Sequence, residues 1–230
     1  MRGDGRESDV FLAMPPLEAK RLLFRMAVVN GCVGGDSGQG PAKLMFVDVR
    51  MAHLIGKLQD DELAYTQLPV KVGGGVVRLR RWLCGMRPAA KAWEGDYSKR
   101  LVEDAGFLKG RASPSMFFNP CSGVRLVVWG DGFTLLGGEE DLMDILEKMK
   151  VWYSIKLRGI VGPDPGDMKE IRILNRLVRW TKDGIEYEAD DKHVTMVVKG
   201  LGLQEDSKGV GVALPTEYGA EEGDRELDPQ

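Results

Sequence analysis

The chain has 230 residues, enough for one sizeable domain or two small ones. Hydrophobic residues make up 43% of it, which supplies a packed core and excludes global disorder. The formal net charge of −3 argues against non-specific nucleic-acid binding by the whole surface, and with no apolar run near ~20 residues a membrane-spanning helix is not expected.

Charge is unevenly placed. Between Lys71 and Arg111 there are ten Lys/Arg against four Asp/Glu, whereas Glu217 to Gln230 carries six acids and one Arg. The three cysteines, Cys32, Cys84 and Cys121, are odd in number and widely spaced. They suit neither a disulfide framework nor a zinc site, and they predict an intracellular, reducing compartment. The first residues, Met1 to Arg6, lack the apolar region of a signal peptide.

Along the chain, residues 1–14 read as a flexible arm, 15–203 as the folded domain and 204–230 as an acidic flexible tail. Pro15-Pro16 opens a helix whose apolar stripe is Leu22, Leu23, Met26 and Ala27, and Gly31 can end it. A Gly-rich loop over 30–41 leads into a buried strand, Leu44 to Val49, that carries one acid, Asp48. Residues 70–75 form a Gly-rich turn before a short strand, Val76 to Leu79. A helix starts near Pro88; Ala89, Trp93, Tyr97 and Leu101 repeat on one face as core, and Gly106 closes it.

Met116 to Phe118 and Val124 to Trp129 read as strands either side of a turn at Asn119–Gly123. Gly130-Asp131-Gly132 then makes a tight turn, with Phe133 to Leu136 returning as the hairpin partner. The next helix opens on Glu139, Glu140 and Asp141, which suit its positive end, and buries Leu142, Ile145, Leu146 and Met149. Ile171 to Trp180 and Ile185 to Tyr187 form a second hairpin, and Asp190 caps a last helix through Val198 that ends at Gly200.

The order strand, helix, strand–turn–strand, helix, strand predicts an α+β fold of the ferredoxin-like, split βαβ kind: an antiparallel sheet with helices on one face. Such a unit brings the end of its first strand beside the tip of its central hairpin. Asp48 stands at the first place and Asp131 at the second. An aspartate in an apolar strand is costly without a partner. Two convergent carboxylates make a hard-oxygen site suited to magnesium, whose two-ion form serves phosphoryl transfer. The plainer alternative is that Asp131 is an ordinary turn residue and Asp48 caps a loop.

Four collinear blocks carry a family resemblance. Phe46-Val47-Asp48-Val49-Arg50-Met51-Ala52-His53 resembles the pattern D-V-K-x-A-F of Copia-type retrotransposon reverse transcriptases. Arg78 to Trp93, through Leu83-Cys84-Gly85-Met86, resembles R-L-x-x-x-L-Y-G-L-x-x-A-x-R-x-W. Gly106-Phe107 with Ser113-Pro114-Ser115-Met116-Phe117 resembles G-F-x-x-S-x-x-D-P-S-L-F, and Val128-Trp129-Gly130-Asp131-Gly132-Phe133 stands at the place of L-Y-V-D-D-M. Leu214-Pro215-Thr216 echoes the segment that follows that domain, so the resemblance covers residues 15–216.

The resemblance implies that residues 15–203 are an RNA-directed DNA polymerase palm with partial fingers and a connection hairpin. It implies magnesium as cofactor, and RNA or DNA template-primer and deoxynucleotide triphosphates as substrates. Asp48 and Asp131 would be the catalytic, metal-binding acids, with Val49 as a further metal ligand through its carbonyl. Arg50 and His53 would lie at the nucleotide, and Arg78, Arg80, Arg81, Arg87 and Lys91 along the nucleic-acid backbone. Gly132 replaces the second aspartate of the hairpin pair, His53 an aromatic, and Trp129 a tyrosine or histidine. The upstream fingers segment is largely absent, the chain ends before a full thumb, and it shows no integrase or ribonuclease H segment. These departures imply impaired or lost polymerisation, or a catalytically inactive module that binds nucleic acid or protein.

Other motifs read as structural. Gly35-Asp36-Ser37-Gly38 resembles a serine-protease nucleophile segment, but both His53 and His193 follow it, and it lacks the ending of a phosphate-binding loop. Asp190, Asp191 and His193 fit a capped helix start, and Cys84 a buried small apolar residue.

Overall fold

The computed structural model describes residues 15–29, 40–58, 62–188 and 191–203. The expected arm at 1–14, most of the Gly-rich loop with Gly31, the cap at Asp190 and the tail at 204–230 lie outside the described residues. The chain divides into two compact units, Met1–Ala189 and Asp190–Gln230.

In the first unit the elements run α1 (Leu17–Val29), β1 (Lys43–Val49), β2 (Tyr65–Gln67), β3 (Val76–Arg78), α2 (Arg87–Lys99), β4 (Leu108–Lys109), β5 (Met116–Phe118), β6 (Arg125–Trp129), β7 (Gly132–Gly137), α3 (Glu139–Trp152), β8 (Ile155–Val161), β9 (Glu170–Ile173), β10 (Arg176–Thr181) and β11 (Gly184–Glu188). The second unit contains α4 (Asp191–Gly200). No described helix is long and apolar enough to cross a membrane.

The first unit is built on a six-stranded antiparallel sheet in the order β4-β5-β6-β7-β1-β8. β1, between β7 and the edge strand β8, is mostly apolar because both faces of the sheet are covered. Alternate residues serve opposite layers. Met45, Val47 and Val49 join the core under α2 and α3, whereas Leu44 and Phe46 join a second core under α1 and the sheet β9-β10-β11. α2 and α3 therefore share one face as expected, but the opposite face is not bare: α1 and the small sheet fill it.

The larger core is aromatic. Trp93, fully buried on α2, meets Tyr97, Phe133 and Tyr153 edge to ring at centroid separations of 5.2, 6.1 and 5.1 Å. A π-helical turn at Arg100–Asp104 extends α2, so that Leu101 stays in the core, and Gly106 at φ 72° ends it. In α3 the predicted face is the observed one: Leu142, Ile145, Leu146 and Met149 are all buried.

Three expectations are corrected. The buried stripe of α1 is Ala19, Lys20, Leu23, Phe24 and Ala27; Leu22 faces outward, because Leu44, Phe46 and Tyr187 lie on the other side. Ile171 to Trp180 is not one strand, for the chain reverses at Leu174 and Asn175, both with positive φ, between β9 and β10. Cys84 is exposed and not buried, because it lies in the turn between β3 and α2. The strand after α3 is β8, at Ile155–Val161, a stretch that had carried no expectation.

Candidate functional site

β1 and β7 pair in register with Asp48 opposite Gly132. The β6–β7 turn consists of Gly130 and Asp131, because Trp129 already pairs with Gly132. Gly130 has φ 63°, the positive value that the first residue of a two-residue type II′ hairpin turn requires. The Trp93 indole N–H donates to the Gly130 carbonyl at 2.8 Å, and the Val49 N–H donates to the Asp131 carbonyl at 2.9 Å. The core thus fixes the hairpin tip against the end of β1. The two acids predicted to meet do line one cavity, of about 210 Å³.

The cavity opens on the face of the sheet covered by α1, with Lys20, Trp129, Arg158 and Leu174 also in its wall. Lys20 is only 4% exposed, and its ammonium lies 4.8 Å from the centre of the Trp129 ring. Burial, helped by the nearby Arg176 charge and opposed by Asp48, pulls Lys20 down to about 8. Arg158 Nε stands 3.4 Å from Oδ2 of Asp48, with both side chains a little over one-third exposed.

Arg158 reaches Asp48 through a local irregularity of β8. Phe46 pairs with Gly159 but Val47 pairs with Leu157, so Arg158 is the extra residue of a β-bulge. Bulges bend a strand and re-aim the side chain they carry. The next residue is Gly159, and a Cβ there would require the Met168 side chain to move aside.

The remaining expected residues lie outside this cavity. Val49 ends β1 and is buried. Arg50 is exposed in the following turn, its N–H bonded to the Ser154 carbonyl at 2.8 Å. His53 is half-buried in a short 3-10 helix. Arg78, Arg80, Arg81 and Lys91 are exposed; Arg81 donates to the Ile55 carbonyl at 3.0 Å and so braces that segment. Arg87 begins α2, and its side chain lies outside the description. The Asp190–His193 cluster is likewise outside it, apart from the backbone of α4.

Sequence reasoning missed Lys20 and Arg158. Lys20 had a readable signal, because it lies three, four and seven residues before the apolar Leu23, Phe24 and Ala27, on the buried side of the helix. For Arg158 no local pattern announces the bulge.

Compared with known proteins, the chain matches no protein-family model and no curated protein. What the site can do must be argued from its groups. Two carboxylates line one cavity, and a methyl group added at Gly132 would stand 3.6 Å from Oδ1 of Asp48. Gly132 is therefore the place from which a third acid would reach the pair. Among the described residues no group of three or more His, Cys, Asp or Glu is arranged to hold a metal ion. The donor set is one acid short of a two-ion centre, and one of its two acids already carries a guanidinium. It does not fit two divalent ions.

Proposed function

We propose that the first unit is a polymerase palm of the Copia-type reverse transcriptase kind, related by descent to RNA-directed DNA polymerases and impaired in nucleotidyl transfer. The observation that carries the reading is that Asp48, at the end of β1, and Asp131, at the tip of the β6–β7 hairpin, line one cavity. The strand order β6-β7-β1-β8, with α2 and α3 on one face, supports it, since a ferredoxin-like unit has that order. In this reading template-primer and deoxynucleotide triphosphates are the ligands, the exposed Arg78, Arg80 and Lys91 contact phosphates, and Arg50 and His53 lie toward the nucleotide. Magnesium is the cofactor of the ancestral reaction, with Asp48, Asp131 and the Val49 carbonyl as its assigned ligands. It would supply stabilisation of the attacking and leaving oxygens. A reducing intracellular compartment belongs to the same proposal and agrees with free thiols at Cys84 and Cys121.

The Asp48–Arg158 ion pair favours a second reading within this fold, a catalytically inactive module that keeps nucleic-acid or protein binding. One experiment separates the two. Primer extension on RNA with magnesium is measured for the native chain and for Gly132→Asp, alongside template-primer binding at several salt concentrations. The impaired-polymerase reading expects extension that is absent or barely detectable in the native chain and appears once Gly132→Asp supplies the missing acid. Salt-dependent binding without extension in either protein selects the binding module. Absence of both binding and extension sinks the palm reading.

A further inference from the structure

We propose that Arg158 and Lys20 are resident cations which replace divalent ions at Asp48 and Asp131, so that this cavity neutralises its own acids and does not take up magnesium or manganese. The inference rests on the palm reading only for the identity of the ions replaced. Its physical basis is independent of polymerisation.

Charge is the first argument. Two carboxylates and two basic side chains line the same small cavity, which balances without any metal. A hard divalent ion binds by collecting anionic oxygens. Here Oδ2 of Asp48 already faces Arg158 Nε at 3.4 Å, and Lys20 adds a second positive charge on the same side of the sheet. An arriving ion must displace the guanidinium and then remain beside an ammonium.

Construction is the second argument. Arg158 is not a loose surface side chain that drifted to a carboxylate. It is the extra residue of the β8 bulge, a position set by the pairing of β8 with β1. Lys20 is held by its burial among α1, β1 and Trp129. The two cations come from different elements, α1 and β8, both packed against β1. The third acid that could outweigh them is missing, because Gly132 presents only hydrogen toward Oδ1 of Asp48.

The test is manganese binding to the full chain, read by the loss of the free-ion electron paramagnetic signal. The variants are Asp48→Asn, Arg158→Lys, Arg158→Gln, and Arg158→Gln combined with Gly132→Asp. In the native chain Asp48→Asn is expected to leave manganese uptake unchanged, because Asp48 holds no ion there. Arg158→Lys keeps a cation and behaves as native. The double variant binds manganese roughly tenfold or more tightly than native, a difference that corresponds to one removed repulsion or one added ligand, and Asp48→Asn introduced into it abolishes the gain. A native chain whose manganese affinity drops on Asp48→Asn overturns the proposal, and that comparison does not depend on whether the Arg158 variants fold. A folded double variant, verified by near-ultraviolet circular dichroism, that binds no better than native also overturns it. Neither result bears on the palm reading, which stands or falls with template-primer binding and extension.

Discussion

The two lysines buried in the first unit show how neighbours decide the worth of a charge. Lys43 begins β1 and is 4% exposed, yet its ammonium meets Glu139 at 2.7 Å, Asp164 at 2.9 Å and Asp167 at 2.7 Å. Burial alone would lower its affinity for a proton; the three acids more than reverse that. It ties the starts of β1 and α3 to the loop before β9. Lys43→Met is expected to destabilise the protein by about 2–4 kcal/mol in urea unfolding, since removing one partner strands the nearly buried Asp167, and the figure is below the full buried-pair cost because Glu139 and Asp164 reach water. Lys20 has no such ring of acids, only Asp48 in partial opposition to Arg176 and burial. Residues of this kind were hard to read in the sequence. The identity of Asp48 as an expensive acid in an apolar strand was visible; its partner Arg158 was not, because a cation many residues away becomes relevant only after the sheet has formed.

Elements were legible where local pattern and tertiary role agreed. β1, β6 and β7 are apolar runs, β6 and β7 set off by glycines and β1 opening after Pro41, and they form as expected because the sheet is covered on both faces. α2 and α3 carry clear stripes and clear ends. β8 was not legible, for Ile155-Lys156-Leu157-Arg158 mixes charge with apolar residues as an edge strand does, and the bulge breaks its period. The β9–β10 reversal was hidden by its residues: Leu174-Asn175 adopts positive φ at both positions, 48° and 59°, where an Asn-Gly pair would have signalled the turn. A leucine at positive φ is strained by roughly 1–2 kcal/mol. Leu174→Gly is therefore expected to raise stability by about 0.5–1 kcal/mol, part of the relief being offset by the glycine's greater freedom when unfolded. A thermal midpoint that fell would show that the Leu174 side chain contributes more at the cavity wall than its backbone costs.

At the scale of the molecule, buried protonated groups set the response to alkali. Burial raises Tyr97, Tyr153 and Tyr187; Tyr153 also donates to Asp96 at 2.6 Å, and its acids raise Lys43. Each keeps its proton in the folded chain at pH values where the unfolded chain has lost it. Their stabilisation is whole below about pH 10, the range where free tyrosine and lysine titrate, and is lost as pH rises beyond. Lys20 acts in the opposite sense: it releases its proton near 8 when folded and only near 10.4 when unfolded, so stability rises between those values. Urea midpoints measured from pH 7 to 11 should climb slightly and then fall, and Lys20→Met should abolish the climb while leaving the fall.

The bulged strand has a further bearing on how copies of the chain meet. β8 is the last strand on its side of the six-stranded sheet, and apart from the bridge between Val161 and Met168 its outer row of amides and carbonyls has no strand beside it among the described residues. Such a border is a template on which another chain can lay a strand. Lys156 stands along it and the bulge at Arg158 kinks it, so two approaching borders do not match in shape. The bulge that brings Arg158 to Asp48 thereby also spoils this border as a template, and the remaining charge on it, Lys156, is the one strong salt would mute by shortening its reach to about 3 Å at 1 M.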